Sequence, residues 1–179
     1  MNNKFHIVLD RDGTIIEHVH YLKDPDKIVL MKNVKNVLEN WIDEGHNIYI
    51  HTNQSGIERG YYSLSDVNKC NDKMLSLLGK KIRFSSICIA PNITNTIKKN
   101  YRKPSTLFGN EILQSKKIKS SNMIYIGDSY CDILTAVNLN CYGIQIGKKK
   151  LKKIKIDNRQ IFRADDWIKI KEIVNELSI

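Results

Sequence analysis

Short apolar, β-branched runs alternate along the chain with segments whose apolar residues recur at helical spacing. The runs are Phe5 to Leu9, Asn47 to His51, Phe84 to Ile89, Met123 to Ile126 and Tyr142 to Ile146. Each is short and mostly apolar, as a parallel strand covered on both faces must be. Between the first two, Val34, Val37, Leu38, Trp41 and Ile42 fall on one helical face, and Gly45 supplies a left-handed end. Val67, Cys70, Met74, Leu77 and Leu78 repeat the pattern, with Ser or Asp at the start and Gly79 after the end. Weaker helical patterns cover Thr106 to Lys116 and Tyr130 to Leu139, and an amphipathic helix closes the chain from Trp167 to Leu177. The alternation predicts an α/β fold with a doubly wound, mainly parallel, Rossmann-like sheet. With no repeat or linker in its 179 residues, the whole chain, residues 1–179, reads as one domain.

The first strand ends in Leu9-Asp10-Arg11-Asp12-Gly13-Thr14. Two carboxylates two residues apart on an extended chain point the same way, so both acids can face one site. In an open parallel sheet such a site lies beyond the carboxyl ends of the strands, where strand order reverses. Three further segments answer the acidic pair. His51-Thr52-Asn53-Gln54-Ser55-Gly56 offers a hydroxyl, amides and backbone N–H groups in a turn suited to an anion. Arg102-Lys103-Pro104 places two cations before a helix, with Pro104 expected in its first turn. Gly127-Asp128-Ser129-Tyr130-Cys131-Asp132 adds acid at the same sheet edge. His51 reads as packed at the strand end. Asp132 reads as an acid of a helix's first turn, with metal ligation as the alternative.

In this order, the strand with DRDGT, then TNQSG, RKP and GDxxxD resemble the signature motifs of haloacid dehalogenase-type phosphatases, over residues 5 to about 147. The segments DRDGTI and HTNQSGIERGYYS are similar to the histidinol-phosphatase and heptose-bisphosphatase subgroup, and SGIERGYYS is closer to the heptose branch. The resemblance implies Asp10 as nucleophile and Mg²⁺ ligand. It makes Asp12 the general acid and then base, lending its backbone carbonyl to the metal, and Asp128 a further metal ligand. Thr52 and Lys103 would stabilise the phosphoryl oxygens. A carboxylate nucleophile splits a difficult hydrolysis into two displacements, and Mg²⁺ prefers such hard oxygen ligands. The implied reaction is loss of the 7-phosphate from a D-glycero-D-manno-heptose 1,7-bisphosphate. Alternatives are histidinol phosphate, a nucleic-acid 3′-phosphate and, in another class, a receiver-like phospho-switch; the second acid at Asp12 serves turnover rather than a lasting switch.

Only about 20 residues separate Gly13 from the first strong helix, which leaves no room for a large cap domain over the site. Specificity then falls to three loops, His18 to Tyr21, Asn53 to Arg59 and Pro91 to Arg102. By the resemblance, substrate contacts come from Arg11, His18, Val19, His20, Tyr21, Asn53, Gln54, Ser55, Arg102 and Ser129. In the third loop this subgroup carries a zinc-binding Cys-x-His and Cys-x-Cys. Here the corresponding segments read Cys88-Ile89-Ala90 and Lys99-Asn100-Tyr101, and one soft ligand cannot build a tetrahedral site. No structural zinc is expected, and Pro91 to Asn100 should be less constrained.

Composition alters this picture little. The four cysteines are widely spread and read as reduced thiols. The net charge of +10 suits an anionic substrate such as a sugar bisphosphate, and nucleic acid is not the expected partner. Lys148 to Lys155 reads as a solvated connection. Without a long apolar run or a secretory leader, the chain is expected to be a cytoplasmic monomer away from membranes.

Overall fold

The computed structural model describes residues 3–94, 100–147 and 160–179. Its centre is a six-stranded parallel sheet of β1 (His6–Leu9), β2 (Asn47–Asn53), β3 (Ile87–Ala90), β4 (Met123–Gly127), β5 (Tyr142–Ile146) and β6 (Ile161–Ala164). Strand order is β3-β2-β1-β4-β5-β6. The chain therefore builds outward from β1 on one side, then returns to β4 and builds outward on the other. That reversal leaves a crevice beyond the carboxyl ends of β1 and β4.

Helices α1 (Val34–Asp43), α2 (Leu64–Leu78), α3 (Leu107–Lys116), α4 (Tyr130–Leu139) and α5 (Trp167–Leu177) cover the sheet. One core layer joins Ile7 and Leu9 of β1 to Val34, Leu38 and Trp41 of α1, Cys70 and Met74 of α2, and Trp167 and Ile170 of α5. The opposite layer joins Val8, Tyr49 and Tyr125 to Phe108 and Ile112 of α3 and Ala136 and Leu139 of α4. Alternate β1 residues thus enter different layers, which explains why the strand lacks a polar face. The helix ends use the signals expected of them. Ser63 and Asp66 cap α2 reciprocally, and Gly45 and Gly79 take positive φ after α1 and α2.

Several features differ from expectation, among them the end of β2, which runs to Asn53 rather than His51. Regular pairing of β3 begins at Ile87, not Phe84, because Ser85 and Ser86 interrupt the apolar run; it ends at Ala90. The edge strand β6 was not foreseen: it has four residues, one of them the exposed Arg163, and is too short and mixed to stand out. Pro104 lies in the turn before α3, joined to Lys103 by a cis peptide bond, whereas α3 starts at Leu107. The lysine run Lys148 to Lys155 lies outside the described residues.

Between β1 and α1 the chain makes a tight turn at Gly13 and one 3-10 turn at Pro25–Lys27, with no inserted domain. The turn is tied down from the far end of the chain, since Trp167 Nε1 donates to the Thr14 carbonyl at 2.8 Å.

Candidate active site

Asp10 leaves the end of β1 with its backbone N–H still bonded to the Ile126 carbonyl of β4. Its carboxylate meets the Lys103 ammonium at 2.8 Å, and the same ammonium meets Asp132 at 2.5 Å. Lys103 and Asp132 are almost wholly buried. Burial works against the charge on Lys103, but Asp10 and Asp132 outweigh it and hold its pKa above the ordinary lysine value. Burial pushes the Asp10 carboxyl upward; Lys103 pulls it back, while Asp132 and Asp12 push further up. Asp132 starts α4, where its other oxygen accepts the Ser129 N–H at 3.0 Å.

Asp12 is held by a different set of groups. Arg11 donates to both of its oxygens at 3.1 Å, Gln54 Nε2 donates at 2.8 Å and Thr52 Oγ1 lies at 3.4 Å. These groups are themselves fixed: Arg11 Nη1 donates to Asn71 of α2 at 2.9 Å, Gln54 Nε2 also donates to Thr52 at 2.8 Å, and the Tyr62 hydroxyl donates to Gln54 Oε1 at 2.8 Å. Buried polar groups of this kind are costly unless each is bonded, so the network fixes the Asp12 carboxylate to one place.

Two adjoining pockets of about 250 Å³ open at this edge. One is lined by Asp10, Lys103, Asp128, Ser129, Arg102 and Cys131. The other is lined by Val19, His20, Tyr21, Leu22, Gln54, Ser55 and Tyr62. Asp12, His18 and Asn53 line both, so Asp12 stands at their junction. The arrangement offers one lobe of carboxylates with two cations, Arg102 and Lys103, and a neighbouring lobe of rings, amides and hydroxyls.

The donor set fits a hard divalent cation. Carboxylate oxygens of Asp10, Asp128 and Asp132 lie within 4.8 Å of one another. Four acids, Asp10, Asp12, Asp128 and Asp132, gather at this edge, where Arg11 pairs with Asp12 and Lys103 with Asp10 and Asp132. A cation is therefore needed before an anionic phosphoryl group can enter. Lys103 meets both Asp10 and Asp132, and Asp132 also accepts the Ser129 N–H. At Gly13, a Cβ would stand 2.7 Å from an Asp128 oxygen, on a backbone with φ of +80°, so glycine is what lets the loop approach.

A sequence model of the polynucleotide kinase 3 phosphatase family matches residues 6–138. The chain belongs to this family of haloacid dehalogenase-type phosphatases. Among its relatives is a probable D-glycero-D-manno-heptose-1,7-bisphosphate 7-phosphatase of Thermoplasma volcanium, 33% identical over 123 residues, which are 68% of this chain and 84% of that one. A D-glycero-beta-D-manno-heptose-1,7-bisphosphate 7-phosphatase of Helicobacter pylori is 29% identical over 143 residues, 77% of this chain and 80% of that one. The crystal structure of the D,D-heptose 1,7-bisphosphate phosphatase from B. bronchiseptica, complexed with magnesium and phosphate, superposes with a TM-score of 0.83. It shares 20% identity and covers 96% of this chain and 98% of that one.

The phosphatase brings Asp10, Asp12, Asp128, Lys103, Arg102 and Ser129 to one sheet edge, and His18, Val19, His20, Tyr21 and Ser55 to the adjoining lobe. Arg11, expected at the substrate, is instead 1% exposed and lines neither lobe, because its guanidinium is consumed by Asp12 and Asn71. Gln54 reaches the lobe's wall, but its amide is spent on Asp12 and Thr52. Asn53 does more than line the pockets, since its amide holds both backbone groups of Lys103. The third loop carries more constraint than expected at its described ends. Glu58 accepts the Ile93 N–H, Arg102 Nη1 donates to the Asn92 carbonyl at 3.0 Å, and Asn100 accepts the Arg102 N–H at 2.7 Å. Residues 95–99 of that loop lie outside the described residues.

Sequence reasoning missed Cys131, Tyr62 and Asn71. Asn71 had a signal: it is a buried polar residue on the same face of α2 as Val67 and Met74. Burial holds the Cys131 thiol up at about 11, with Asp132 adding to the rise, so it sits in the pocket as a neutral group.

Proposed function

We propose that the chain hydrolyses a phosphate monoester through an aspartyl-phosphate on Asp10, with Mg²⁺, and that its substrate is D-glycero-D-manno-heptose 1,7-bisphosphate, cleaved at the 7-phosphate. The observation that carries the reaction is Asp10, ion-paired to Lys103 at 2.8 Å in a pocket that Asp12 and Asp128 also line. A capless single domain would leave the substrate's other end to the three loops. The sugar is supported by the relatives' names and by the second lobe, where His18, His20, Tyr21 and Ser55 offer polar groups to a polyol.

In the first step an Asp10 oxygen attacks phosphorus and the ester P–O bond breaks. Asp12 gives its proton to the departing alkoxide, which leaves from the junction of the two lobes. In the second step Asp12 takes a proton from water, whose oxygen attacks phosphorus; the bond to Asp10 breaks and inorganic phosphate departs. Lys103 holds phosphoryl oxygens throughout. Asp10, Asp128 and the Asp12 carbonyl would hold Mg²⁺, which supplies charge neutralisation between carboxylate and phosphate. Arg11, Gln54 and Thr52 keep Asp12 pointed at the leaving oxygen.

A nucleic-acid 3′-phosphatase is the second reading, favoured by the description of the matched family and the net charge of +10. A panel with Mg²⁺ decides between them. Heptose bisphosphate, histidinol phosphate and a 3′-phosphorylated oligonucleotide are compared by kcat/KM. The heptose is expected to lead by more than about tenfold, roughly 1.4 kcal/mol of transition-state discrimination. Asp10→Asn should abolish turnover of all three; near wild-type rates in that variant would sink the covalent mechanism.

A further inference from the structure

Strand β2 turns alternate side chains to opposite layers, and its last residues divide the work of the site accordingly. Thr52 faces Asp12, whereas His51 and Asn53 face the segment that carries Lys103. His51 is completely buried, with its ring edge-on to Phe108 at 5.1 Å. Its Nε2 lies 2.7 Å from the Tyr101 carbonyl and its Nδ1 lies 3.2 Å from the Tyr125 hydroxyl. A carbonyl can only accept, so Nε2 carries the hydrogen and Nδ1 accepts from Tyr125. Burial, reinforced by nearby Lys103, keeps the ring neutral.

The segment it grips is held at every turn. Asn100 Oδ1 accepts the Arg102 N–H at 2.7 Å. Asn53 Oδ1 accepts the Lys103 N–H at 2.9 Å, and Asn53 Nδ2 donates to the Lys103 carbonyl at 3.2 Å. The peptide groups on both sides of Arg102 are therefore fixed by side chains, two of them from the end of one strand. No turn of helix or strand pairing does this, since residues 101–106 lie outside both. A phenyl ring would fill the place of His51 against Phe108 without any polar group to desolvate. What it could not do is bond Tyr101.

We propose that His51 is a positioning residue of the phosphate site: its Nε2–H holds the Tyr101 carbonyl and so sets, through two residues of backbone, where the Lys103 ammonium stands relative to Asp10. The inference rests on the reading that Lys103 binds the phosphoryl oxygens. His51 touches no reacting atom. Its effect belongs to phosphate affinity and transition-state placement rather than to proton transfer.

Three variants separate this role from simple packing. In His51→Gln the side-chain amide nitrogen takes the place of Nε2; in His51→Asn it takes that of Nδ1 and falls short of Tyr101; His51→Phe keeps the ring and loses both bonds. Inorganic phosphate binding to the full chain with saturating Mg²⁺ is measured by titration calorimetry. A loss of folded protein lowers the binding stoichiometry and leaves the dissociation constant unchanged, so the constant reports the site alone. The Asn and Phe variants are expected to weaken phosphate binding about tenfold, and the Gln variant by less than about threefold. Wild-type constants in the Asn and Phe variants, or an equal shift in all three, overturn the proposal. If the Phe variant does not fold, the contrast between Gln and Asn decides. Lys103→Met is titrated beside them: an unchanged constant there removes the reading of Lys103, whereas a weakened one with unaffected His51 variants removes the role of His51 only.

Discussion

The Lys103 ammonium lies 2.5 Å from Asp132, an acid at the start of α4 that also accepts the Ser129 N–H. Lys103 therefore enters the site on a buried partner that the two chemical steps do not consume. Removing that partner leaves a buried ammonium with Asp10 alone, and breaking a buried ion pair costs roughly 3–5 kcal/mol. Asp132→Ala is expected to lower unfolding free energy by about that amount in urea titrations, with about 1 kcal/mol of it from the lost helix cap. Asp132→Asn keeps an acceptor for Ser129 and should lose less. An Asp132→Ala protein of wild-type stability would show that the ion pair contributes nothing.

Asp12 depends on side chains that are themselves held in place. Tyr62 donates to Gln54, and Gln54 donates to Asp12. Tyr62→Phe frees the Gln54 carbonyl end and loosens one of three anchors on Asp12, for which a three- to tenfold fall in kcat is expected at constant KM. Gln54→Leu removes the anchor itself, and a loss of about 10- to 100-fold is expected, within the range that general acid–base catalysis supplies. Steady-state kinetics on one ester checks both. A rise in KM with unchanged kcat would place Gln54 in substrate binding instead.

Asp128 lies so close to Gly13 that a Cβ there would stand 2.7 Å from its carboxylate, beside the acids proposed to hold Mg²⁺. Chelation should abolish activity and added Mg²⁺ restore it. Asp128→Ala should raise the Mg²⁺ needed for half-maximal activity by tenfold or more, with the circular dichroism spectrum unchanged. Gly13→Ala should act in the same direction, because its Cβ would press on the Asp128 carboxylate at a strained positive φ. An unaltered Mg²⁺ dependence in Asp128→Ala would exclude it as a ligand.

The strands were legible because buried parallel strands are apolar throughout, and β1, β2, β4 and β5 are covered on both faces. The edge strands were not, since partial exposure lets serines into the run before β3 and Arg163 into β6. In the site, the positions of Asp10 and Asp128 just beyond β1 and β4 were legible, whereas Thr52, expected at the phosphoryl oxygens, is buried against Asp12 and Gln54 and lines neither lobe. What stayed hidden was which polar side chains point at substrate and which point at one another. Arg11 and Gln54 have the same chemistry in either role, and only their placement behind Asp12 decides it. His51 was read as packed, which its burial bears out, but its bond to a carbonyl 50 residues away leaves no trace in the local sequence.

The burial of His51 also makes stability depend on pH. Burial pushes the His51 imidazole down to about 3, with Lys103 lowering it further and the Tyr101 hydrogen bond opposing. An unfolded chain restores the ordinary value of about 6.5. Below that value the unfolded state takes up a proton that the folded state refuses, so unfolding is favoured as pH falls. The neutral ring's contribution is fully present above pH 6.5 and is lost progressively as pH falls toward 3. The slope is on the order of 1 kcal/mol per pH unit over the lower part of that window. Urea midpoints of the wild type and His51→Gln, compared at pH 7.5, 6, 5 and 4, should therefore converge as the pH is lowered, because glutamine has no proton to take up. Parallel lines across the series would show that His51 ionises in the folded protein as readily as in the unfolded one.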